Sequence, residues 1–371
     1  MTYSLTLLRR PGVRRQRGIS LVELMVGLAI GMVVVAGMSV LFANNSRTRA
    51  ETDKAGQKIE NGRYALDLLR TDLQHAGYLA EFDPRQLPLP AARPDICETG
   101  LATLKAALGI ATSGYDNATS PLPAELNCLS GVVPGTDVVV LRRAATCADG
   151  SANCPAWAAP APIFQASSCD SASELGGIDV NNYYRLADSK ATLDLKKRDC
   201  TATAEMLRYV VRIYYVAAND KVINDVPDGI PTLKRAELVN SGAGTAFTSV
   251  TSLVQGVENL QMEYGLDTNN DGIADVYAPA PGTWCAAQVP PIANGTCWSA
   301  VVSARLSLLT RSVEPGSGYT DTRRYILGQK ADASGASATD NEVGPFNDRF
   351  RRSVFQSVVR LENVAGRRST P

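Results

Sequence analysis

The segment DTNNDGIAD, residues 267–275, carries oxygen-bearing groups at alternate positions. Calcium prefers carboxylate, amide and backbone carbonyl oxygens, and loops that bind it supply them at this spacing around a glycine that permits a sharp turn. Calcium coordination is therefore the chemistry that the segment predicts, and no other cofactor is expected. The candidate ligands are Asp267, Asn269, Asp271, the backbone carbonyl of Ile273, and Asp275.

The calcium pattern is incomplete at its end. A full EF-hand loop carries a bidentate glutamate at its twelfth position, where this chain has Ala278. This departure excludes a complete EF-hand and leaves a smaller site completed by water. The alternative is a turn rich in Asp, Asn and Gly, which would connect a strand ending at Tyr264 to one beginning near Val276.

Cysteines are the second set of residues with chemical potential. All eight lie beyond the apolar N-terminal run, and no two are spaced as CxxC, so a structural zinc site is not expected. An even number of cysteines favours disulfides in an oxidising compartment. Local pairs such as Cys147–Cys154 and Cys285–Cys297 are natural choices, although spacing alone leaves the pairing open. The disulfide candidates are Cys97, Cys128, Cys147, Cys154, Cys169, Cys200, Cys285 and Cys297.

Neither an enzyme nor a nucleic-acid-binding protein is indicated. The chain contains a single histidine, His75, and it has no glycine-rich phosphate loop and no recognisable nucleophile–base pair. Its 371 residues include 37 basic and 37 acidic side chains. The basic residues form no stripe beyond the first 17 positions, which argues against nucleic acid as a partner.

The N-terminal region contains an apolar run, Ile19 to Ala43, whose only charged residue is Glu23. The uncharged part that follows Glu23 is long enough to cross a bilayer as a helix. Arginines before the run predict a cytoplasmic N-terminus, and the disulfide-prone remainder is expected outside the cytoplasm. A charge at such a place is costly unless a partner compensates it.

The sequence RGISLVELMVGLAIG, residues 17–31, resembles the N-terminus of type IV prepilins and pseudopilins. Those chains have a basic leader that ends in glycine, then an apolar residue, and a glutamate at the fifth mature position. Gly18, Ile19 and Glu23 match these three features. The resemblance implies cleavage between Gly18 and Ile19 by prepilin peptidase, followed by N-methylation of Ile19.

Cleavage would give Glu23 a partner, because it creates a positive amine on Ile19. That amine lies about one helical turn from Glu23 in the same chain, and the amine of a neighbouring subunit could also approach it. A pair of this kind can set the register between subunits. Gly27 and Gly31 add a GxxxG spacing, which permits close packing of helices in a membrane.

The helix is expected to continue beyond the apolar run to Ala76. The apolar residues Ile59, Leu66, Leu69, Leu73 and Ala76 recur at helical spacing, and Gly77 is the predicted C-cap of this helix. Alternating patterns then predict strands at residues 136–143, 205–217, 231–240, 253–265, 300–312 and 351–363. The predicted fold class is α+β, with a long N-terminal helix packed on an antiparallel sheet that carries long disulfide-bearing loops. Residues 84–135 are interpreted as a long connection with one short helix.

The segments ENGRYALDLLRTDLQHAGY, GVENLQMEYGLDTNNDG and FQSVVRLEN are similar to PilW-type minor pilins. The resemblance implies a non-enzymatic protein of the inner membrane and the pilus tip, which primes assembly together with other minor pilins, the major pilin and a tip adhesin. Two alternatives stay open: a minor pseudopilin of type II secretion, and a periplasmic binding domain with a single membrane anchor. The predicted divisions are a leader at 1–18, an apolar helix half at 19–43, an amphipathic half at 44–77 and a periplasmic head at 78–371.

Overall fold

The computed structural model describes residues 18–242, 244–331 and 338–368. Apart from Gly18, the predicted leader therefore lies outside the described residues. The chain divides into two compact units, with the boundary after Asp53. The second unit contains the sheets and all eight cysteines.

Helices occur at the start of the chain, at its end and within the loops. The α-helices are α1 (Leu21–His75), α2 (Leu101–Ala106), α3 (Pro281–Ala286), α4 (Asn294–Ser299) and α5 (Glu362–Arg368). Single 3-10 turns occur at Pro84–Gln86, Ala124–Leu126, Val180–Asn182 and Lys190–Thr192.

The strands all lie in the second unit. They are β1 (Thr112–Tyr115), β2 (Val138–Ala148), β3 (Ile163–Ala166), β4 (Tyr184–Ala187), β5 (Met206–Ala217), β6 (Val222–Ile223), β7 (Val226–Pro227), β8 (Thr232–Asn240), β9 (Thr245–Gln255), β10 (Val257–Leu266), β11 (Val276–Ala278), β12 (Val301–Arg311), β13 (Tyr325–Ala331), β14 (Ala338–Val343) and β15 (Arg352–Arg360).

Two antiparallel sheets contain most of these strands. In the seven-stranded sheet, β5 pairs with β2 along one edge and with β3 and then β8 along the other, while β1, β4 and β9 extend the sheet. The four-stranded sheet has the order β11-β10-β12-β15. Two small hairpins, β6–β7 and β13–β14, complete the set among the described residues. The predicted α+β class is confirmed.

The central strands β2 and β5 are buried on both faces. Side chains alternate across a strand, and Val139 and Tyr214 belong to one apolar core while Val140 and Ile213 belong to another. The first core also contains residues of α1, β10 and β12, and the second contains the loops that follow α1. Burial on both sides explains why the sequence of β2 begins with an unbroken apolar run rather than an alternating one.

The second half of α1 packs one face on the sheets. Leu69, Leu73 and Ala76 are fully buried, as the apolar stripe predicts. The prediction that Ile59 belongs to the buried stripe is wrong. Ile59 is 41% exposed, because Lys58 and Gly62 occupy the buried side of the helix there. A methyl group on Gly62 would lie 2.3 Å from the ring of Phe355, so this glycine lets β15 approach the helix closely.

The helix ends as the sequence predicts. Its last residue is His75, and Gly77 adopts a positive φ of 74°, the left-handed conformation that commonly terminates helices. The amide of Gly77 then donates a hydrogen bond to the carbonyl of Arg142 in β2. The chain thus leaves the helix already attached to the seven-stranded sheet.

Two strand predictions needed correction. The predicted strand 253–265 is two strands, because Gly256 (φ 80°) breaks it and sends β9 and β10 into different sheets. The predicted strand 351–363 ends at Arg360, and α5 follows at once. Residues 84–135 are more than a connection, since β1 pairs with β2 and joins the main sheet.

The cysteines form four disulfides, as predicted for an oxidising compartment. Cys147–Cys154 and Cys285–Cys297 are the two expected local pairs, with Cα atoms 5.9 and 6.1 Å apart. Cys97–Cys128 and Cys169–Cys200 are the other two. Three of the four pairs fasten loops that precede β5, and the fourth connects α3 to α4. These loops contain little regular structure. The crosslinks stabilise them by reducing the number of conformations that the unfolded chain can adopt.

Candidate assembly site

The residues around Glu23 form the start of α1. The Ser20 hydroxyl accepts a hydrogen bond from the amide of Val22 (3.3 Å), and the Glu23 carboxylate accepts one from the amide of Ser20 (3.4 Å). This arrangement resembles a capping box, with the serine hydroxyl on the amide of Val22 instead of Glu23, and it satisfies amides that a helix otherwise leaves without partners. This cap is not among the features predicted from the sequence, although Ser followed three residues later by Glu is the signature of a capping box.

Glu23 has no cationic partner within the described part of the chain. Its carboxylate contacts only the backbone of Ser20, and no Lys or Arg among the described residues lies within ion-pair distance. The positive end of the helix dipole favours its charge only modestly. Whatever compensates this carboxylate in an apolar medium must therefore come from outside the described residues.

The apolar half of α1 is exposed along its whole length. Its most apolar 18-residue window has a mean hydropathy of 2.5, and none of that window is buried. A methyl group on Gly27 or Gly31 would meet nothing within 4 Å. The helix is thus long and apolar enough to cross a membrane, and the glycine side of its surface is free to receive another helix.

Farther along α1, Asp72 is a carboxylate with several partners. Both of its oxygens lie 2.9 Å from a guanidinium nitrogen of Arg212, and Oδ2 accepts a 2.5 Å hydrogen bond from the hydroxyl of Tyr214. Arg143 lies 3.5 Å away. Burial alone would raise the pKa of the Asp72 carboxyl, but Arg212 and Tyr214 outweigh it, and the pKa falls below its usual value. Asp72 therefore fixes α1 to strands β2 and β5.

The candidate calcium loop connects β10 to β11, as the turn interpretation expected. The buried Asp267 carboxylate accepts hydrogen bonds from the amides of Asn270 (2.6 Å), Asp271 (3.2 Å) and Gly272 (3.0 Å). Asp275 similarly accepts the amide and the hydroxyl of Thr268. The loop is therefore held in place by its own hydrogen bonds.

A cation would have to compete for these oxygens. The Arg368 guanidinium of α5 lies 3.5 Å from Asp267 Oδ2 and donates to Asn270 Oδ1 at 2.5 Å. Across residues 18–242, 244–331 and 338–368, no three acidic, histidine or cysteine side chains cluster closely enough to hold a metal ion. The proposed ligands therefore fit a calcium ion poorly in this arrangement, and calcium binding stays a prediction.

Comparison with known proteins adds two family matches. The family described as Type IV Pilus-assembly protein W matches residues 213–363, which run from the second half of β5 through β15. The prokaryotic N-terminal methylation motif matches residues 13–39, which include Gly18, Ile19 and Glu23. No curated protein and no solved structure gives a significant match.

The two matches agree with the geometry. The methylation motif covers the exposed apolar start of α1, and it implies processing by prepilin peptidase and partners in a pilus. The apolar helix fits a membrane-anchored pilin. The pilus-assembly match covers the whole four-stranded sheet, on which Phe355 packs against the amphipathic half of α1. Together these findings support a PilW-like type IV pilin.

Proposed function

We propose that this chain is a minor pilin, a structural protein that helps to prime and assemble a type IV pilus. The observation that carries the proposal is Glu23, a carboxylate at the start of an exposed apolar helix with no cationic partner among the described residues. Its presence in one chain with the pilus-assembly region favours a subunit that acquires its partner on assembly.

Processing would supply that partner. Prepilin peptidase would cut between Gly18 and Ile19, and the new Ile19 amine, once N-methylated, remains positively charged. A lone carboxylate costs about 2.5–3.5 kcal/mol at the centre of a membrane helix, and it costs less near the helix start, where Glu23 lies. Pairing with the amine of an adjacent subunit removes that cost only when the two helices are in register, so Glu23 selects the correct stagger.

The cellular location follows from the same features. The mature chain would be anchored in the inner membrane by the apolar half of α1, with its N-terminus in the cytoplasm and its disulfide-bonded head in the periplasm. Other minor pilins and the major pilin would be its neighbours after assembly. The strands and loops outside the matched region enlarge the head, which supports a place at the filament tip, beside an adhesin, rather than at every step of the array.

Mass spectrometry and a deletion strain test the proposal. The mature protein is expected to begin with N-methylated Ile19, and the deletion is expected to abolish pili and twitching while protein export continues. Lost export with normal pili would instead assign the chain to a type II secretion system. An intact Met1, with pili and export both normal, would favour an anchored periplasmic binding domain.

Immunogold labelling of sheared filaments tests the tip location. Label confined to filament ends is the expected result. Label spaced evenly along the filaments would contradict the tip location and leave the assembly role unchanged.

A further inference from the structure

A cavity of about 440 Å³ lies where α5 meets the loops that follow α1 and α2. Gly77 just after α1, Gly109 before β1 and Ser299 at the end of α4 contribute to its walls. The volume is within the range of small-molecule sites, about 300–1,000 Å³. The residues around Glu23 take no part in these walls.

One part of the cavity lining is apolar. It is formed by Leu89, Leu108, Ala111 and Val364. Leu108 and Ala111 are buried members of the two apolar cores, so the fold fixes their positions. A methyl group on Gly109 would lie 2.9 Å from Leu89, so the wall is closely packed there. An alkyl group in the cavity would be removed from water against this surface.

Three arginines form the charged part of the lining: Arg85, Arg367 and Arg368. Among the described residues, no aspartate or glutamate joins them in the lining. The side chain of Arg85 is 45% exposed, so its guanidinium is within reach of a ligand from the solvent. Backbone carbonyls hold the other two, with Gly77 2.8 Å from Arg367 and Ser299 3.2 Å from Arg368. The cavity therefore combines an apolar surface with positive charge, which suits an anion that carries an apolar group.

The charge of Arg367 is only partly compensated within the folded chain. Burial lowers the pKa of its guanidinium more than the nearby Asp83 carboxylate raises it, and Arg85 lowers this pKa further. An anion in the cavity would offset both the burial of Arg367 and its repulsion by Arg85.

The existing ion pair of Arg85 leaves it able to bind a second carboxylate. Arg85 lies 2.7 Å from Asp83. Elsewhere in the same chain, Arg212 contacts Asp72 and Glu237, both at 2.9 Å, so one guanidinium can serve two carboxylates. The planar fork of a guanidinium matches the planar carboxylate group.

We propose that this cavity binds a carboxylate that carries a short alkyl group, supplied either by a free acid or by the C-terminal residue of another protein. The carboxylate would lie on Arg85 and Arg367, and the alkyl group would lie against Leu89, Leu108 and Val364. This function is separate from filament assembly and does not rest on it.

The test uses the full-length protein in phosphatidylcholine nanodiscs, with empty nanodiscs as the blank. The probes are 4-methylpentanoate, its uncharged amide, the corresponding amine and acetate, and saturation-transfer NMR follows their binding. We expect 4-methylpentanoate to bind about fivefold or more tightly than each of the others, because only this probe has both a carboxylate and an alkyl group.

A peptide probe distinguishes the two sources of the ligand. N-acetylglycylleucine presents the same alkyl group and carboxylate at a chain terminus. Binding of this peptide would assign the ligand to protein C-termini, whereas binding of 4-methylpentanoate alone would assign it to free acids.

Three variants locate the binding. Arg85→Gln removes one guanidinium and should weaken binding about fivefold or more. Arg360→Gln is the matched control, since the Arg360 side chain is 48% exposed, pairs with Glu362 and lies outside the cavity lining. Leu89→Ala removes apolar surface, so it should weaken binding of 4-methylpentanoate and leave that of acetate unchanged. It decides the outcome where Arg85→Gln fails to fold.

Three results would overturn the proposal. The first is that neither 4-methylpentanoate nor the peptide binds. The second is that the amide, the amine or acetate binds as tightly as the tighter of these two carboxylates. The third is that Arg85→Gln and Leu89→Ala bind as tightly as Arg360→Gln.

Discussion

Two carboxylates on the same helix, Glu23 and Asp72, meet opposite surroundings. Asp72 is buried and has Arg212, Arg143 and Tyr214 within reach, while Glu23 touches only the backbone of Ser20 among the described residues. The charge of Asp72 is compensated by side chains of the same folded chain. Glu23 stands in an apolar segment that is exposed, and any cationic partner that it has lies outside the described residues.

The largest expected effect comes from removing the unsatisfied carboxylate. Glu23→Ala should abolish incorporation into filaments, a loss of at least tenfold in the sheared pilus fraction, because correct register no longer gains an ion pair. Immunoblots of membrane and sheared fractions measure it. Ser20→Ala is the control, since it weakens the helix cap and keeps the charge. Equal incorporation of the Glu23→Ala variant and the parent would remove the contrast between the two carboxylates.

Removing the satisfied carboxylate should instead damage the fold. Asp72→Ala removes one of the two carboxylates that contact Arg212, whose other partner Glu237 stays 2.9 Å away, and it leaves the Tyr214 hydroxyl without its acceptor, so folding stability should fall by about 1–3 kcal/mol. Chemical denaturation of the solubilised protein measures the loss. Asp67→Ala is the matched control on the same helix, because Asp67 is exposed, and its effect should stay within about 0.5 kcal/mol. Equal losses in the two variants would contradict the role of Asp72.

Two glycines of α1, Gly62 and Gly56, allow a second comparison between a packed and an exposed position on this helix. Gly62→Ala places a methyl group 2.3 Å from the Phe355 ring and should destabilise the protein by about 1–3 kcal/mol through overpacking. Gly56→Ala meets nothing within 4 Å and should stabilise the helix by about 0.5–1 kcal/mol. Opposite shifts in the denaturation midpoint are the expected result. Shifts of the same sign would mean that β15 does not approach the helix as described.

Asp72 also predicts a pH dependence. Its pKa is lowered in the folded protein, so its contribution to stability is complete above the ordinary aspartate pKa and is lost as the pH falls through the lowered value. Stability measured between pH 7 and pH 2 should therefore decline less steeply on the acid side for Asp72→Asn than for the parent. Parallel acid limbs would contradict the lowered pKa.

The smallest effect is expected at the loop between β10 and β11. A calcium ion must displace Arg368 from Asp267, so binding should be weak, with Kd about 10⁻⁴–10⁻³ M as in extracellular calcium modules. Calorimetry should show tighter binding for Arg368→Gln and none for Asp271→Ala. An absence of heat with both the parent and Arg368→Gln would end the calcium prediction.

Local sequence patterns predicted the parts of the fold that depend on local periodicity. The helix stripe located α1 to within a residue at each end, and long apolar or alternating runs located β2, β5, β8 and β12. The four-residue strands β1, β3 and β4 are too short to show a period. Gly256 was read as part of a strand because a positive φ leaves no trace in the pattern of apolar residues.

The candidate sites also differ in whether their residues lie close together or far apart in the sequence. Gly18, Ile19 and Glu23 could be singled out from the sequence because they match the prepilin pattern at fixed, close spacing, and their roles stay predictions. The contact between Arg368 and Asp267 joins residues far apart in sequence, so no local pattern could show it.

Gly256 is the single residue between β9 in one sheet and β10 in the other. Its amide donates to the Pro231 carbonyl beside β8, and its carbonyl accepts from the Arg311 amide of β12, both at 2.7 Å. Sliding either sheet past the other would tear both bonds and force this residue out of its left-handed conformation. A sideways load on one layer would therefore be passed to the other through this residue.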